Sequence, residues 1–343
     1  MNFSQKILRW YQENKRDLPW RTTINAYNIW LSEIMLQQTR VSQGIPYYEK
    51  FIKHYPTVFD MAKADEEEIL KLWQGLGYYS RARNMHATAK YIVQHYNGKF
   101  PSTYKELIKL KGIGDYTASA IASISFGQKE AVLDGNVFRV LARYFGITLP
   151  INETEGKKYF KELAISLLPK TDLRDYNQGI MEFGAIQCAP RNPDCSICPL
   201  KDSCKALQDN NVSQLPVKIK KGKIKNRYFN YLVFLDQKNN TLMEQRTGKG
   251  IWQNLYQFPL LESNNKITLD EVEEYVLDRF GETEKIHLYN SEAVVHKLSH
   301  QHLITHFWIV EKTNLGDTAV FIEKARQFPV PVLIAQFMER FKF

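Results

Sequence analysis

Four cysteines crowd into one short stretch of the chain: Cys188, Cys195, Cys198 and Cys204, spaced C-x6-C-x2-C-x5-C. In a reducing compartment, thiols this close in sequence are better explained as ligands of a metal centre than as two disulfides. A paired zinc ribbon would carry two C-x2-C knuckles and only one is present. Four thiolates around an iron-sulfur cubane fit the pattern, while spacing by itself leaves zinc open. Two carboxylates carry the other chemistry. Glu33, in IWLSEIMLQQTR, shares a helical face with Ile29, Trp30 and Leu36. Burial there raises a carboxyl's pKa and keeps it protonated near neutral pH, the state a general acid needs; a buried ion pair with an arginine explains the same pattern. Asp134 stands before NVFRVLAR, where an aspartate caps a helix and can still serve a site as an anion. Gly112 and Gly114 immediately precede another helix, and their missing side chains let backbone N–H groups approach a phosphate.

Periodicity supplies the elements that must hold these residues. IWLSEIMLQQ, EEEILKLW, SRARNMHATAKYIVQHY, DYTASAIASISF, NVFRVLARYF and YFKELAISLL repeat apolar residues at three-to-four spacing, so residues 1–211 are expected to be all helical. From 217 to 227, VKIKKGKIKNR holds six basic residues and no acidic one, which marks a basic linker over 212–227. Beyond it NYLVFLD, TLMEQR, AVVHKLSH and THFWIVEK pattern as strands and DEVEEYVLDRF as a helix, so 228–343 reads as a separate α+β domain. The 343 residues are 44% hydrophobic and 24% charged, as in folded domains, and a net charge of +9 favours a polyanionic partner. No segment approaches roughly 18 uncharged apolar residues, and the N-terminus lacks a signal-peptide core. A cytosolic (cytoplasmic) protein with no membrane partner is expected.

Taken in order, SEIMLQQT, LKGIGDYTASAIASISFG with LDGNVFRVLAR, and the cysteine loop resemble the helix-hairpin-helix, iron-sulfur DNA glycosylases, the family of endonuclease III and the adenine DNA glycosylases. The resemblance implies a six-helix barrel with its hairpin and a 4Fe-4S cluster on Cys188, Cys195, Cys198 and Cys204. It also implies a monomer bound to double-stranded DNA, with Gly112 and Gly114 at a phosphate. Glu33 would protonate the adenine ring and Asp134 would stabilise the oxocarbenium ion, with Tyr116 and Asn136 completing the catalytic set. Adenine leaves poorly as an anion, which is why both carboxylates are needed. By the same resemblance Trp20 and Arg21 in LPWR and Glu182 in MEFGA line the adenine pocket, while Gln38, Leu76 and Tyr78 wedge into or support the opened duplex. Where the strand-cleaving branch carries a Schiff-base lysine this chain has Tyr116, so a monofunctional hydrolase is expected; Lys109 and Lys111 are the amines close in sequence. Lys111 replaces a proline frequent in the family.

Residues 228–343 resemble the Nudix-like domain of the adenine DNA glycosylases. The hydrolase metal box is missing: Glu273 and Glu274 lack a preceding Arg-Glu. Recognition without hydrolysis is implied, through Leu298, Ser299 and His300, which stand where the family has Phe-Ser-His and reads 8-oxoguanine. Leucine keeps an apolar wedge and loses aromatic stacking. The substrates implied are A:8-oxoguanine and A:G mispairs. Two alternatives stand beside this reading, a bifunctional endonuclease III-like lyase and a silent mismatch sensor. His296, His300, His302 and His306 would share one exposed side, as a metal cluster needs, only on an uninterrupted strand.

Overall fold

The computed structural model describes residues 1–219 and 224–341, so residues 220–223 of the expected linker lie outside the described residues. By their contacts the residues form two compact units, Met1–Lys63 with Asn84–Lys220, and Ala64–Arg83 with Lys221–Phe343. The helices in chain order are α1 (Phe3–Asn14), α2 (Ala26–Leu36), α3 (Val41–His54), α4 (Val58–Lys63), α5 (Glu66–Leu72), α6 (Ser80–Tyr96), α7 (Tyr104–Leu107), α8 (Asp115–Phe126), α9 (Gly135–Phe145), α10 (Thr154–Ser166), α11 (Leu173–Ile186) and α12 (Lys205–Gln208). Then follow β1 (Lys225–Leu235), β2 (Asn240–Thr241), β3 (Glu244–Gln245), β4 (Tyr256–Gln257), β5 (Leu260–Ser263), α13 (Leu269–Phe280), β6 (Lys285–Leu288), β7 (Val294–Lys297), β8 (Gln301–Glu311), β9 (Val320–Phe321), α14 (Ile322–Ala325) and α15 (Val332–Arg340). Among the described residues no helix is long and apolar enough to cross a membrane.

The first unit is built around helices that are apolar on nearly every side. α2 starts where the Asn25 side chain accepts hydrogen bonds from the Tyr27 and Asn28 N–H groups. From Ile29 to Met35 every residue of α2 is buried, so the helix is stable only as an inner element. α8 is similarly buried from Thr117 to Ile124. It begins at Gly114 without a side-chain cap and ends at Gly127, whose φ of +64° closes the helix in the left-handed region. α9 starts at the Asp134 cap, and α11 packs against α1, α8 and α9. Close approach decides that last contact: a Cβ on Gly184 would lie 2.7 Å from the Asn136 Cβ and 2.8 Å from the Asn136 carbonyl oxygen.

In the second unit β1 and β8 pair in parallel from Lys225↔Gln301 to Leu235↔Glu311, in a sheet of order β5-β1-β8-β6 with β7 also on β8. Helices cover both faces, which is why YLVFL reads as a continuous apolar run. Leu232, Phe234, Trp308 and Val310 face Val272 and Val276 of α13. On the other face Tyr231, Phe307 and Phe337 of α15 stack at 5.5 and 4.1 Å. The segment 64–83 is tied into this unit: Lys71 donates to the Arg326 and Phe328 carbonyls at 2.6 and 3.0 Å, and Asn254 and Tyr256 donate to Glu66 and Glu67 at 2.6 and 2.7 Å.

Three local expectations change. α2 stops at Leu36 rather than running to Gln38, because a turn from Thr39 N–H to the Leu36 carbonyl (3.2 Å) places Gln38 at φ +55°. TLMEQR is not one strand: β2 pairs with β9 and β3 with β4, in separate two-stranded sheets. AVVHKLSH breaks after Lys297, where Leu298 N–H bonds the Gln301 carbonyl at 2.8 Å, so the four histidines do not share one strand. An added methyl at Gly184 must push the start of α9 away from α11. Gly184→Ala is expected to lower stability by about 1–3 kcal/mol, seen as a lower urea midpoint with an unchanged m-value; an unshifted midpoint would mean the two helices do not meet this closely.

Candidate active site

Five elements of the first unit converge on one cavity of about 620 Å³. The short 3-10 turn Pro19–Arg21 contributes Trp20 and Arg21, α2 contributes Glu33, α8 Tyr116, α9 Asp134 and Asn136, and α11 Glu182. Gln38 lines it from the turn after α2.

Glu33 is only 7% exposed. Burial, joined by the nearby Asp134 charge, outweighs the Tyr116 hydroxyl and Arg21 and pushes its pKa up to about 7. The Tyr116 hydroxyl lies 3.2 Å from the Met181 sulfur and within hydrogen-bonding reach of Glu33. Asp134 stands in different surroundings. One of its carboxylate oxygens accepts the Asn136 and Val137 N–H groups at 2.9 and 2.8 Å, and the other accepts the Asn136 side-chain amide at 2.7 Å. Burial raises its pKa, and these donors with Arg139 work against the rise. Of two neighbouring carboxyls, the one with three N–H donors is the one that ionises first, and its charge then favours the proton on the other.

Glu182 plays a third part. Arg16 donates to it at 2.7 and 2.6 Å and Arg21 at 3.0 and 2.8 Å. Burial alone would raise its pKa; the two guanidinium forks hold it down to about 2. It is a fixed anion at any working pH and no general acid. Trp20, 6% exposed, meets Tyr48 edge to face at 5.3 Å.

A chain of hydrogen bonds leads from this cavity to the cysteine loop. Arg139 donates to the Asn136 side-chain oxygen at 2.9 Å, the Gly184 carbonyl at 2.5 Å and the Cys188 carbonyl at 2.8 Å. One turn on, Arg143 donates to the Cys188 sulfur at 3.4 Å, the Ala189 carbonyl at 2.8 Å and the Val212 carbonyl at 2.9 Å. None of the four cysteines is in a disulfide, and all are partly buried. Burial raises the pKa of Cys195, Cys198 (to about 11) and Cys204, and the Cys188 charge adds to each. Among the described residues no three His, Cys, Asp or Glu side chains are drawn together as the ligands of a single metal ion are. The fit of a cluster rests on donor chemistry: four soft sulfurs close enough to feel one another's charge, with arginine donors around them.

Gly112 sits at φ +79° with the Asn84 Cβ 2.8 Å from where its own would be, while Gly114 has no atom within 4 Å of that position, so the backbone is open at Gly114, directly ahead of α8. Leu76, Tyr78, Leu298, Ser299 and His300 are absent from the first cavity. They line a second, of about 580 Å³, within the second unit. Leu76 is buried, at 5% exposed, and Tyr78 projects, at 46%. Sequence reasoning missed Arg16, Met181 and Arg139. Arg139 and Arg143 had left a signal, two cations four apart on the apolar side of an amphipathic helix.

A family model described as HhH-GPD superfamily base excision DNA repair protein matches residues 31–165, and a NUDIX domain model matches 230–340. The chain is 40% identical over 310 residues to the adenine DNA glycosylase of Buchnera aphidicola subsp. Baizongia pistaciae (strain Bp), covering 90% of this chain and 86% of that one. Among solved structures it resembles a thermostable thymine-DNA glycosylase (TM-score 0.57, 35% identity, 60% of this chain and 95% of that one). It shares its fold with an endonuclease III in a non-covalent DNA complex (TM-score 0.52, 22% identity, 61% and 99%).

The folded protein favours protonated Glu33, so the stability this carboxyl contributes is full below its ordinary pKa of 4.5 and is lost as pH rises through about 7. Glu33→Gln, neutral throughout, is expected to unfold like wild type towards pH 5 and to exceed it at pH 8 by on the order of 2–3 kcal/mol, read from urea midpoints. A difference that does not change between the two pH values would mean that Glu33 titrates as an ordinary exposed carboxyl.

Proposed function

Because the chain belongs to the adenine DNA glycosylase family, whose members act in base-excision repair, we propose that it is a monofunctional enzyme that hydrolyses the N-glycosidic bond of adenine mispaired with 8-oxoguanine or guanine. The observation that carries this reading is the pair of unlike carboxyls in one cavity, Glu33 poised to hold a proton near neutral pH and Asp134 fixed by three N–H donors. Adenine, drawn out of the stack, enters between Trp20 and the Arg21–Glu182 pair. The Glu33 carboxyl gives its proton to a ring nitrogen of adenine, so the base leaves neutral. As the glycosidic bond breaks, positive charge grows on the sugar, and the Asp134 carboxylate stabilises it. Water then adds to the sugar carbon and its proton passes to the Glu33 carboxylate left by the first transfer, giving an abasic site and restoring the acid. Tyr116 offers no amine, which supports hydrolysis over Schiff-base strand cleavage. Asn136 holds the Asp134 oxygens in place.

The Gly112–Gly114 backbone takes a phosphate, as Glu33 and Asp134 take the nucleotide. A 4Fe-4S cluster held by Cys188, Cys195, Cys198 and Cys204 would supply a structural centre for the loop, and Arg139 and Arg143 would link that loop to α9. The second cavity, with Ser299 and His300, takes the base opposite adenine, while Tyr78 and Gln38 fill the opened duplex. We assign 1–211 to the glycosylase domain, 212–227 to a basic linker and 228–343 to the lesion-reading domain, in a monomeric cytoplasmic enzyme.

Single-turnover assays on A:8-oxoguanine, A:G, A:T and 8-oxoguanine:C duplexes, with and without alkali, test this reading. Breaks at adenine that appear only after alkali, favour A:8-oxoguanine over A:T, and vanish in Glu33→Gln are expected. Adenine release should also fall as pH rises through about 7, as Glu33 loses its proton. Strand breaks without alkali would favour the lyase, and tight binding without release the silent sensor. Purified protein should be brown, absorbing broadly near about 400 nm, and Cys198→Ser should bleach it; a colourless zinc protein would refute the cluster.

A further inference from the structure

The hydroxyl of Tyr116 has one hydrogen and two neighbours that can take it. The Met181 sulfur, one residue before Glu182 on α11, lies 3.2 Å from its oxygen, and the Glu33 carboxyl on α2 is within hydrogen-bonding reach. All three side chains line the first cavity. Burial, with the charges of Glu33 and Asp134 adding to it, raises the Tyr116 pKa well above its ordinary value. The phenol therefore keeps its hydrogen and acts only by where it points it.

The direction of that hydrogen decides which form of Glu33 is favoured. Aimed at Glu33, it stabilises the carboxylate and opposes the effect of burial. Aimed at Met181, it leaves the phenol oxygen's lone pairs facing Glu33, where they accept the O–H of the neutral carboxyl. A thioether sulfur is a weak, uncharged acceptor on a flexible side chain, strong enough to hold a hydroxyl hydrogen and too weak to keep it from an ionised acid. The charged groups around Glu33 are committed elsewhere: Asp134 on α9 to N–H donors, Glu182 on α11 to Arg16 and Arg21, and Asp115 on α8 to Tyr104 and Lys161. Among the described residues α3 brings only Val41 to the cavity.

We propose that Met181 is a positioning residue for the general acid: its sulfur holds the Tyr116 hydroxyl hydrogen away from Glu33 while the carboxyl carries its proton, and releases it once that proton has gone to adenine. This rests on the reading of Glu33 as the acid that protonates adenine. In the resting site Glu33 O–H donates to the Tyr116 oxygen and Tyr116 O–H donates to the Met181 sulfur. After the transfer the hydroxyl rotates and donates to the Glu33 carboxylate, and it turns back when Glu33 takes up the proton of water. Tyr116 gains and loses no proton in the cycle.

Met181→Leu keeps the volume and removes the sulfur's lone pairs, which leaves the Tyr116 hydrogen to Glu33 at every pH. In single-turnover adenine release from the A:8-oxoguanine duplex, the alkaline limb of its pH profile should lie about 0.5–1 pH unit below that of wild type. Rates should be about 3- to 10-fold lower at about pH 8 and little changed at about pH 5.5. In a Tyr116→Phe background, adding Met181→Leu should displace the profile no further. Urea midpoints give a readout free of activity: the pH at which the Glu33-linked loss of stability levels off should fall by the same amount in Met181→Leu. Slower release by one factor at every pH, or a displacement just as large in the Tyr116→Phe background, would show a packing role and overturn the proposal. If wild type releases no adenine, the glycosylase reading falls and the urea midpoints decide alone: an unmoved stability transition refutes the role of the sulfur, and a displaced one upholds it as the group that lets a buried carboxyl keep its proton.

Discussion

A carboxyl buried in an apolar helix is the constraint from which the site follows. Charged, Glu33 would face a low-dielectric cavity without a fixed cation of its own, since Arg21 is committed to Glu182. The fold resolves this by leaving the proton on Glu33 and placing the negative charge on Asp134, where backbone amides meet it. The same helix cap that starts α9 therefore sets the two acids apart in their hold on a proton.

That arrangement is only as good as the placement of α9, and two devices fix it. The missing side chain at Gly184 lets α11 touch Asn136, and Arg139 turns the contact into a hydrogen-bonded chain from Asp134 through Asn136 to the Cys188 carbonyl. Arg143 does the rest from the same helix face, gathering carbonyls from both sides of the cysteine loop. The cysteine loop and the Asp134 cap thus share a rigid support.

The second unit depends on a different device. Its central strands are buried on both faces and allow little variation, so its adaptable surface lies in connections: the turn at Leu298–His300, the loop carrying Trp252, and the segment 64–83 drawn in from early in the chain. Side chains held in a left-handed backbone by arginine and indole donors make a rigid wall from loops that would otherwise be soft.

The sequence by itself determined the helical character of residues 1–211, the change to α+β beyond the basic stretch, the cysteine loop and an acid on an apolar stripe, because these are written in spacing and periodicity. It also marked the Asp134 cap, which needs only its neighbours. Short strands such as β2 and β3 were illegible, since two residues carry no period and their partners lie far along the chain. So was the end of α2 at Leu36, decided by a turn rather than by propensity. Only the tertiary structure decided between a proton and an arginine partner for Glu33, because an acid on an apolar stripe fits both and the arginines turn out to pair with Glu182. It alone joined Arg16 to Glu182 and Trp252 to His296, since such pairs arise from packing between segments far apart in the chain.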